Sequence, residues 1–410
     1  MSKANGAIEK KDTFLQHVSL KNYKSIKDVE IDFKPGLNII IGKNASGKTN
    51  FVNGLSAVLK SDTKRTIDSD SHITVWFKND KVEIETVAVT QPAKRFSGED
   101  YFNIGIYREP LLKINDKPTT IGYHNAMYTL SENGFNLKEV LIKYGVHYKE
   151  TAAFINIPFS FVFFNNGHAS SDWTQVITQD NWTQFVFSFF IRLQENIFKT
   201  YNGKSENSTI VEELKNKIIS CSEECFKTIN DSIFTYSPIQ AIRLNPNFNI
   251  IIEEGSEKQT ITNFYVEFLI DQSWLTFNLL SDGTKRLFYI ISEMLSISFF
   301  YDEPALIKRL NIALLEEPEL GIHPHQLYLL MQFIKEQSRY KQIIITTHSP
   351  QVLDTIGSDE LDRIIICEYD GKNGTQLRHL TEKETNKAKN YMEDAFLSDY
   401  WRFSDLEPVS

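Results

Sequence analysis

Gly42-Lys43-Asn44-Ala45-Ser46-Gly47-Lys48-Thr49 is the segment richest in chemistry. It follows the spacing G-x-x-x-x-G-K-[ST] of a phosphate-binding loop. Gly42 and Gly47 let backbone N–H groups approach an anion without a Cβ in the way, and Asn44, Ser46 and Asn50 complete the surround. Lys48 can reach a β- or γ-phosphate, and the Thr49 hydroxyl can ligate Mg²⁺. A pair of carboxylates, Glu316 and Glu317, closes the apolar run Leu310–Leu315. Glu316 would hold Mg²⁺ through water, while Glu317 would polarise an attacking water as general base. His348 ends a further apolar run, Gln342–Thr347, where it can contact the γ-phosphate and that water. Ser281 and Gly283 precede an apolar helix expected to start at Leu287. Ser and Gly at a helix N-terminus make an anion site, though alone they read equally as an ordinary cap. The chemistry these residues suit is the binding and hydrolysis of ATP with Mg²⁺.

Each group needs an element to hold it. Leu37–Ile41 reads as a buried strand feeding the loop, and Asn50–Leu59 carries helical spacing of its apolar residues. That strand–loop–helix order aims N–H groups and the positive end of a helix dipole at an anion. Upstream, Phe14–Leu20 and Val29–Phe33 alternate as half-buried strands, and Ile73–Phe77 with Val82–Val87 reads as a hairpin around Asn79-Asp80. Between Pro92 and Gln240 helices are expected at Leu137–Tyr144, Trp182–Lys199 and Ile210–Ile229, with strands returning at Phe248–Ile252 and Phe264–Leu269. No heptad persists, so this stretch is not a long coiled coil. The expected fold class is α/β, a P-loop NTPase with a mixed-sheet lobe and a helical insert. Its parts are an N-terminal lobe over 1–90, a helical, aromatic-rich insert over 91–254 and a C-terminal lobe over 255–410.

At 410 residues and a net charge of −9, the chain does not coat nucleic acid all over, although a local basic groove is compatible with it. Lys94-Arg95-Phe96 and the stretch from Arg192 to Lys199 read as either such a groove or a solvated face beside an aromatic core. Cys221, Cys225 and Cys367 make no disulfide framework and no metal quartet, and Cys221 and Cys225, which would share a helix face, read as core residues. No leader and no apolar stretch long enough for a bilayer is visible, so a soluble cytoplasmic protein is expected.

In this order the four segments resemble the heads of ABC-type ATPases: P-loop, signature, Walker B with D-loop, switch histidine. Leu20-Lys21-Asn22-Tyr23-Lys24-Ser25-Ile26, Glu316-Glu317-Pro318-Glu319-Leu320-Gly321-Ile322-His323-Pro324 and Thr346-Thr347-His348-Ser349-Pro350 are similar to the RecF/SMC branch. Within it the likeness is to OLD-like ATPases of prokaryotic anti-phage defence, of the AriA and PtuA kinds. The resemblance covers about residues 14–90 and 255–400. It implies a homodimer or higher homo-oligomer in which Ser281 and Gly283 complete the site of another subunit. It also implies a separate nuclease or toxin effector gated by the nucleotide state. A RecF-like or SMC-like ATPase that clamps DNA is the alternative. The segment after His348 is too short for the TOPRIM nuclease domain of OLD nucleases. Asp282-Gly283-Thr284, where transporters carry Gly-Gly-Gln, argues against a transporter subunit. Glu316 stands where most ABC proteins carry Asp, a change that OLD-like members share. Gln91 is either a Q-loop glutamine or a surface residue, and Lys24 either a nucleotide contact or an exposed lysine.

Overall fold

The computed structural model describes residues 14–59, 71–77, 81–91, 105–114, 117–119, 138–142, 159–163, 208–252, 259–296 and 311–403. The chain divides into two compact units. The first comprises Met1–Leu141, Ala305–Pro318 and Ile334–Ser410, and the second Ile142–Pro304 with Glu319–Phe333. In chain order the elements begin with β1 (Leu15–Tyr23), β2 (Ile26–Asp32), β3 (Leu37–Ile41), α1 (Lys48–Leu59), β4 (His72–Phe77), β5 (Lys81–Gln91), β6 (Gly105–Ile114), β7 (Lys117–Thr119) and β8 (Lys138–Ile142). Next come β9 (Phe159–Phe163), α2 (Ser208–Tyr236), β10 (Ala241–Leu244), β11 (Asn249–Ile252), β12 (Gln259–Phe264), β13 (Val266–Ile270), β14 (Ser273–Thr276) and α3 (Asp282–Ser296). The last are β15 (Asn311–Glu316), α4 (Pro324–Gln337), β16 (Gln342–Thr347), β17 (Ile364–Asp370), β18 (Gly374–His379), α5 (Glu382–Tyr391) and α6 (Leu397–Phe403).

The first unit is built on a 12-stranded mixed sheet ordered β7-β6-β5-β4-β1-β2-β18-β17-β3-β16-β15-β8. Its heart, β17-β3-β16-β15, is parallel, and the run β7-β6-β5-β4-β1-β2 pairs antiparallel. Burial follows this division. Every residue of β3 and of β16 is buried, as in a parallel strand covered on both faces, whereas β2 alternates buried and exposed. α1 sets Phe51, Val52 and Leu55 into the core formed with Leu20, Tyr23, Ile40 and Leu314. Burying Phe51 and Leu55 contributes roughly 1.5–3 kcal/mol each. Gly54 permits this approach, because a Cβ there would run into Leu20 Cδ2 and the Tyr23 ring. Gln342 pins the entry of β16: its amide bonds both the N–H and the carbonyl of Leu15 at 2.9 Å.

In the second unit α2 buries Leu214, Ile218, Cys221, Cys225, Ile229 and Ile233 along one stripe and packs against α3. Two three-stranded antiparallel sheets, β10-β13-β14 and β11-β12-β9, belong to it. Phe268, Phe277 and Phe288 meet at ring separations of 5.0–6.0 Å. Among the described residues no helix is long and apolar enough to cross a membrane.

The strands expected before residue 90 form, as do β11, β13 and the helix expected at Ile210–Ile229, which extends to Ser208–Tyr236. One segment differs. Leu137–Tyr144, expected as a helix, holds strand β8, which pairs with β15 as the end strand of the sheet. The helix expected at Trp182–Lys199 and the basic segments at Lys94–Phe96 and Arg192–Lys199 lie outside the described residues.

Candidate nucleotide-binding and catalytic site

Three parallel strands end level with one another. Ile40 of β3 lies opposite Thr346 of β16, and Thr346 lies opposite Glu316 of β15. From β3 the chain enters the Gly42–Gly47 loop, from β15 it delivers Glu316 and Glu317, and from β16 it delivers Thr347 and His348. The carboxyl ends of parallel strands are where ligands bind in α/β sheets. Backbone bonds fasten the three exits together: Gly42 N–H donates to the Thr347 carbonyl at 3.3 Å, and Glu317 N–H to the Thr346 carbonyl at 2.8 Å. His348 Nδ1 lies 3.3 Å from Glu317 Oε1, with both side chains partly exposed (34% and 24%). Water can therefore reach a carboxylate that is nonetheless held in place. Glu317 adopts φ +46°, the left-handed region, where an L residue with a Cβ is disfavoured by roughly 1–2 kcal/mol. Strain of this kind persists where the surroundings enforce a geometry, and it concentrates at functional positions.

The loop is shaped around Lys48. Its ammonium is buried and donates to the carbonyls of Gly42 at 2.8 Å and Lys43 at 2.9 Å, so the charge is held inside the turn of its own loop. Gly47 has φ +101°, and Ala45 φ +63°. Asn44 and Thr49 are exposed, and Ser46 is buried. α1 begins at Lys48, and the first N–H groups of a helix, which have no acceptor within it, suit an anion. Thr49 and Glu316 supply hydroxyl and carboxylate oxygens, the hard donors that suit Mg²⁺. Asn50 is turned toward Ser25, its Nδ2 donating to Ser25 Oγ at 2.7 Å. Lys24 is exposed, with Nζ 5.4 Å from the Tyr23 ring centroid, and Gln91 is the last residue of β5.

The sequence reading missed the support beneath the loop. Cys367 of β17 and Thr375 of β18 lie against it, and Ser25 joins Thr375 through a 2.7 Å hydroxyl contact. Nothing in the sequence near Gly42–Thr49 signals residues so distant. The one visible hint is Gly374, which has φ +77° and leaves room for the Ser25 carbonyl.

Ser281 and Gly283 belong to the second unit, while Lys48, Glu316, Glu317 and His348 belong to the first. α3 starts at Asp282, five residues ahead of the expected Leu287, because Ser281 caps it. Ser281 Oγ accepts from Thr284 N–H at 3.2 Å and shares a 2.8 Å hydrogen bond with Thr284 Oγ1. Gly283 presses against the carbonyl of Gly321, itself at φ +73°, and a Cβ on Gly283 would collide with that oxygen. The start of α3 and the turn at Gly321 are thus packed together within the second unit.

A family model described as an AAA ATPase domain matches residues 14–353. The chain belongs to that family. As an AAA ATPase it aligns with the endonuclease GajA of Bacillus cereus at 22% identity over 387 residues, which is 91% of this chain and 62% of GajA. The replication and repair protein RecF of Streptococcus agalactiae is 39% identical over 71 residues, 17% of this chain and 19% of RecF. The chain therefore spans less than two thirds of either relative. Among solved structures, an Smc head bound to the C-winged helix domain of ScpA superposes with a TM-score of 0.52 at 16% identity, covering 91% of this chain and 99% of that one. The Smc head with an extended coiled coil from Pyrococcus furiosus gives 0.51 at 15% identity, covering 93% and 100%. The fold of this AAA ATPase is that of an ABC-type P-loop head.

Proposed function

We propose that this AAA ATPase binds ATP with Mg²⁺ at the β3–α1 loop and hydrolyses it, Glu317 serving as general base. The observation that carries this reading is the register that sets the Lys48 loop, Glu317 and His348 on one level of a parallel sheet. Lys48 and the N-terminus of α1 would neutralise the β- and γ-phosphates. Glu317 would take the proton of the attacking water, and His348, next to it, would orient that water and the γ-phosphate. Thr49 and Glu316 would hold Mg²⁺, which when bound spreads the charge of the phosphate oxygens. Ser281 and Gly283 would act across a dimer, each contacting a γ-phosphate held by Lys48 of the other copy.

At the level of the cell, the reading is a cytoplasmic sensor and scaffold of a bacterial anti-phage defence module, with ATP state gating a separate nuclease or toxin. Two things support it: the resemblance to OLD-like defence ATPases, and an alignment to an endonuclease that runs over nearly the whole chain. A RecF-like or SMC-like role on DNA is the second reading, favoured by the higher identity of the short RecF match. Coexpression of the chain with its neighbouring genes separates the two. An effector that copurifies in an ATP-dependent manner supports the defence role. No copurifying product in either nucleotide state, or metal-dependent nuclease activity from the chain purified free of partners, contradicts it.

A further inference from the structure

The P-loop rests on a hairpin from the far end of the chain. β17 runs parallel to β3, with Ile366 opposite Ile41, so Cys367 comes level with Gly42. A Cβ on Gly42 would run into the Cys367 carbonyl. The Cys367 thiol and Ser46 bond each other twice: Ser46 Oγ donates to Sγ at 3.4 Å, and Sγ faces the Ser46 carbonyl at 3.6 Å. Burial pushes the thiol pKa up, which keeps the proton that this second contact needs. One turn further on, β18 brings in Thr375, wholly buried. Its side chain fills the space that a Cβ on Gly47 would claim, and Gly47 is already in the left-handed region at φ +101°. Thr375 N–H donates to the Ser25 carbonyl at 2.9 Å, and the two hydroxyls meet at 2.7 Å. Ser25 Oγ in turn accepts from Asn50 in the first turn of α1.

We infer that Thr375 and Cys367 are positioning residues for nucleotide binding, clamping the two glycine ends of the P-loop from β18 and β17. Thr375 acts through Ser25 and Asn50, and Cys367 acts through Ser46. Neither touches the nucleotide. The inference rests on the reading of this loop as the ATP site. Because the loop donates several N–H groups to one ligand, a small tilt weakens them together. The effect should fall on ATP affinity and KM more than on turnover at saturation.

The test titrates a fluorescent ATP analogue into the full chain and its variants. Thr375→Val keeps the shape and removes the hydroxyl. It should weaken binding about 5- to 10-fold, the scale of one net hydrogen bond. Thr375→Ser, which keeps the hydroxyl beside Gly47 and Ser25 and gives up one methyl, should restore binding to within about 2-fold. Ser25→Ala combined with Thr375→Val should be no worse than the poorer single variant, because both cut one network. Unchanged binding by Thr375→Val, failure of Thr375→Ser to restore it, or additive losses in the double variant would each overturn the inference. Lys48→Ala, run alongside, separates the two levels. If it too binds like the wild type, the loop is not the ATP site; if it alone loses binding, only the clamp is refuted.

Discussion

The strand edge of the first unit and the signature segment of the second carry the same kinds of residue under different physical conditions. At the signature, local packing accounts for each special residue. Ser281 caps α3, and Gly283 is small because Gly321 lies against it. At the strand edge packing does not suffice. Glu317 is held at φ +46°, a conformation that glycine or asparagine would adopt more cheaply. Lys24, Asp271 and Gln272 also have positive φ, so what sets Glu317 apart is that its φ coincides with the end of a parallel strand level with the exits of β3 and β16. The proposed role of the first region can be tested on one chain, whereas the role proposed for the second requires a second copy to supply the phosphate.

The comparison can be broken at several points. Lys48→Ala should have the largest effect, weakening ATP binding by about 100-fold or more, since two or more charge-assisted contacts to phosphate are lost. Calorimetric titration measures it, and wild-type affinity would remove the strand edge as the site. Ser281→Arg should leave single-site ATP binding nearly intact and lower hydrolysis by roughly 100-fold, the loss typical of a missing transition-state donor. Mixed with Lys48→Ala subunits it should regain part of its activity, since each mixed pair keeps one intact composite site. No rescue between subunits shown to exchange would count against a shared site. The smallest effects are on stability, and they have opposite signs. Glu317→Gly should relieve backbone strain and raise the melting temperature by about 2 °C. Ser281→Ala should remove a cap and lower it by about as much. If Glu317→Gly melts lower, the conformation is not strained and the contrast between the regions loses its basis.

What the sequence disclosed follows from how local each signal is. Gly42–Thr49 encodes its own loop, and the strands beside it are short apolar runs bounded by turns, so β3, β15 and β16 were legible with their terminal residues. Their side-by-side order, with β16 between β3 and β15, comes from the sheet and is seen in the register of Ile40, Thr346 and Glu316. The position of Gly47 against Thr375 was not legible, because it depends on β18 returning to the sheet more than 300 residues later. β8 was misread for a related reason: Lys138–Ile142 is short enough to suit helix or strand, and pairing at the edge of the sheet decides. Helix α3 was placed too late because its start was taken from the apolar stripe at Leu287, whereas the Ser281 cap brings the polar turn from Asp282 into the helix.

The central claim, that Glu317 is the base at the end of β15, is tested most directly by single-turnover hydrolysis in Glu317→Gln. The substitution preserves size and hydrogen bonding and removes proton acceptance. With Mg²⁺ present the variant should bind ATP with near wild-type affinity, accumulate the ATP-bound assembly and cleave at least about 100-fold more slowly. Cleavage at the wild-type rate would contradict the assignment and make His348 the next candidate.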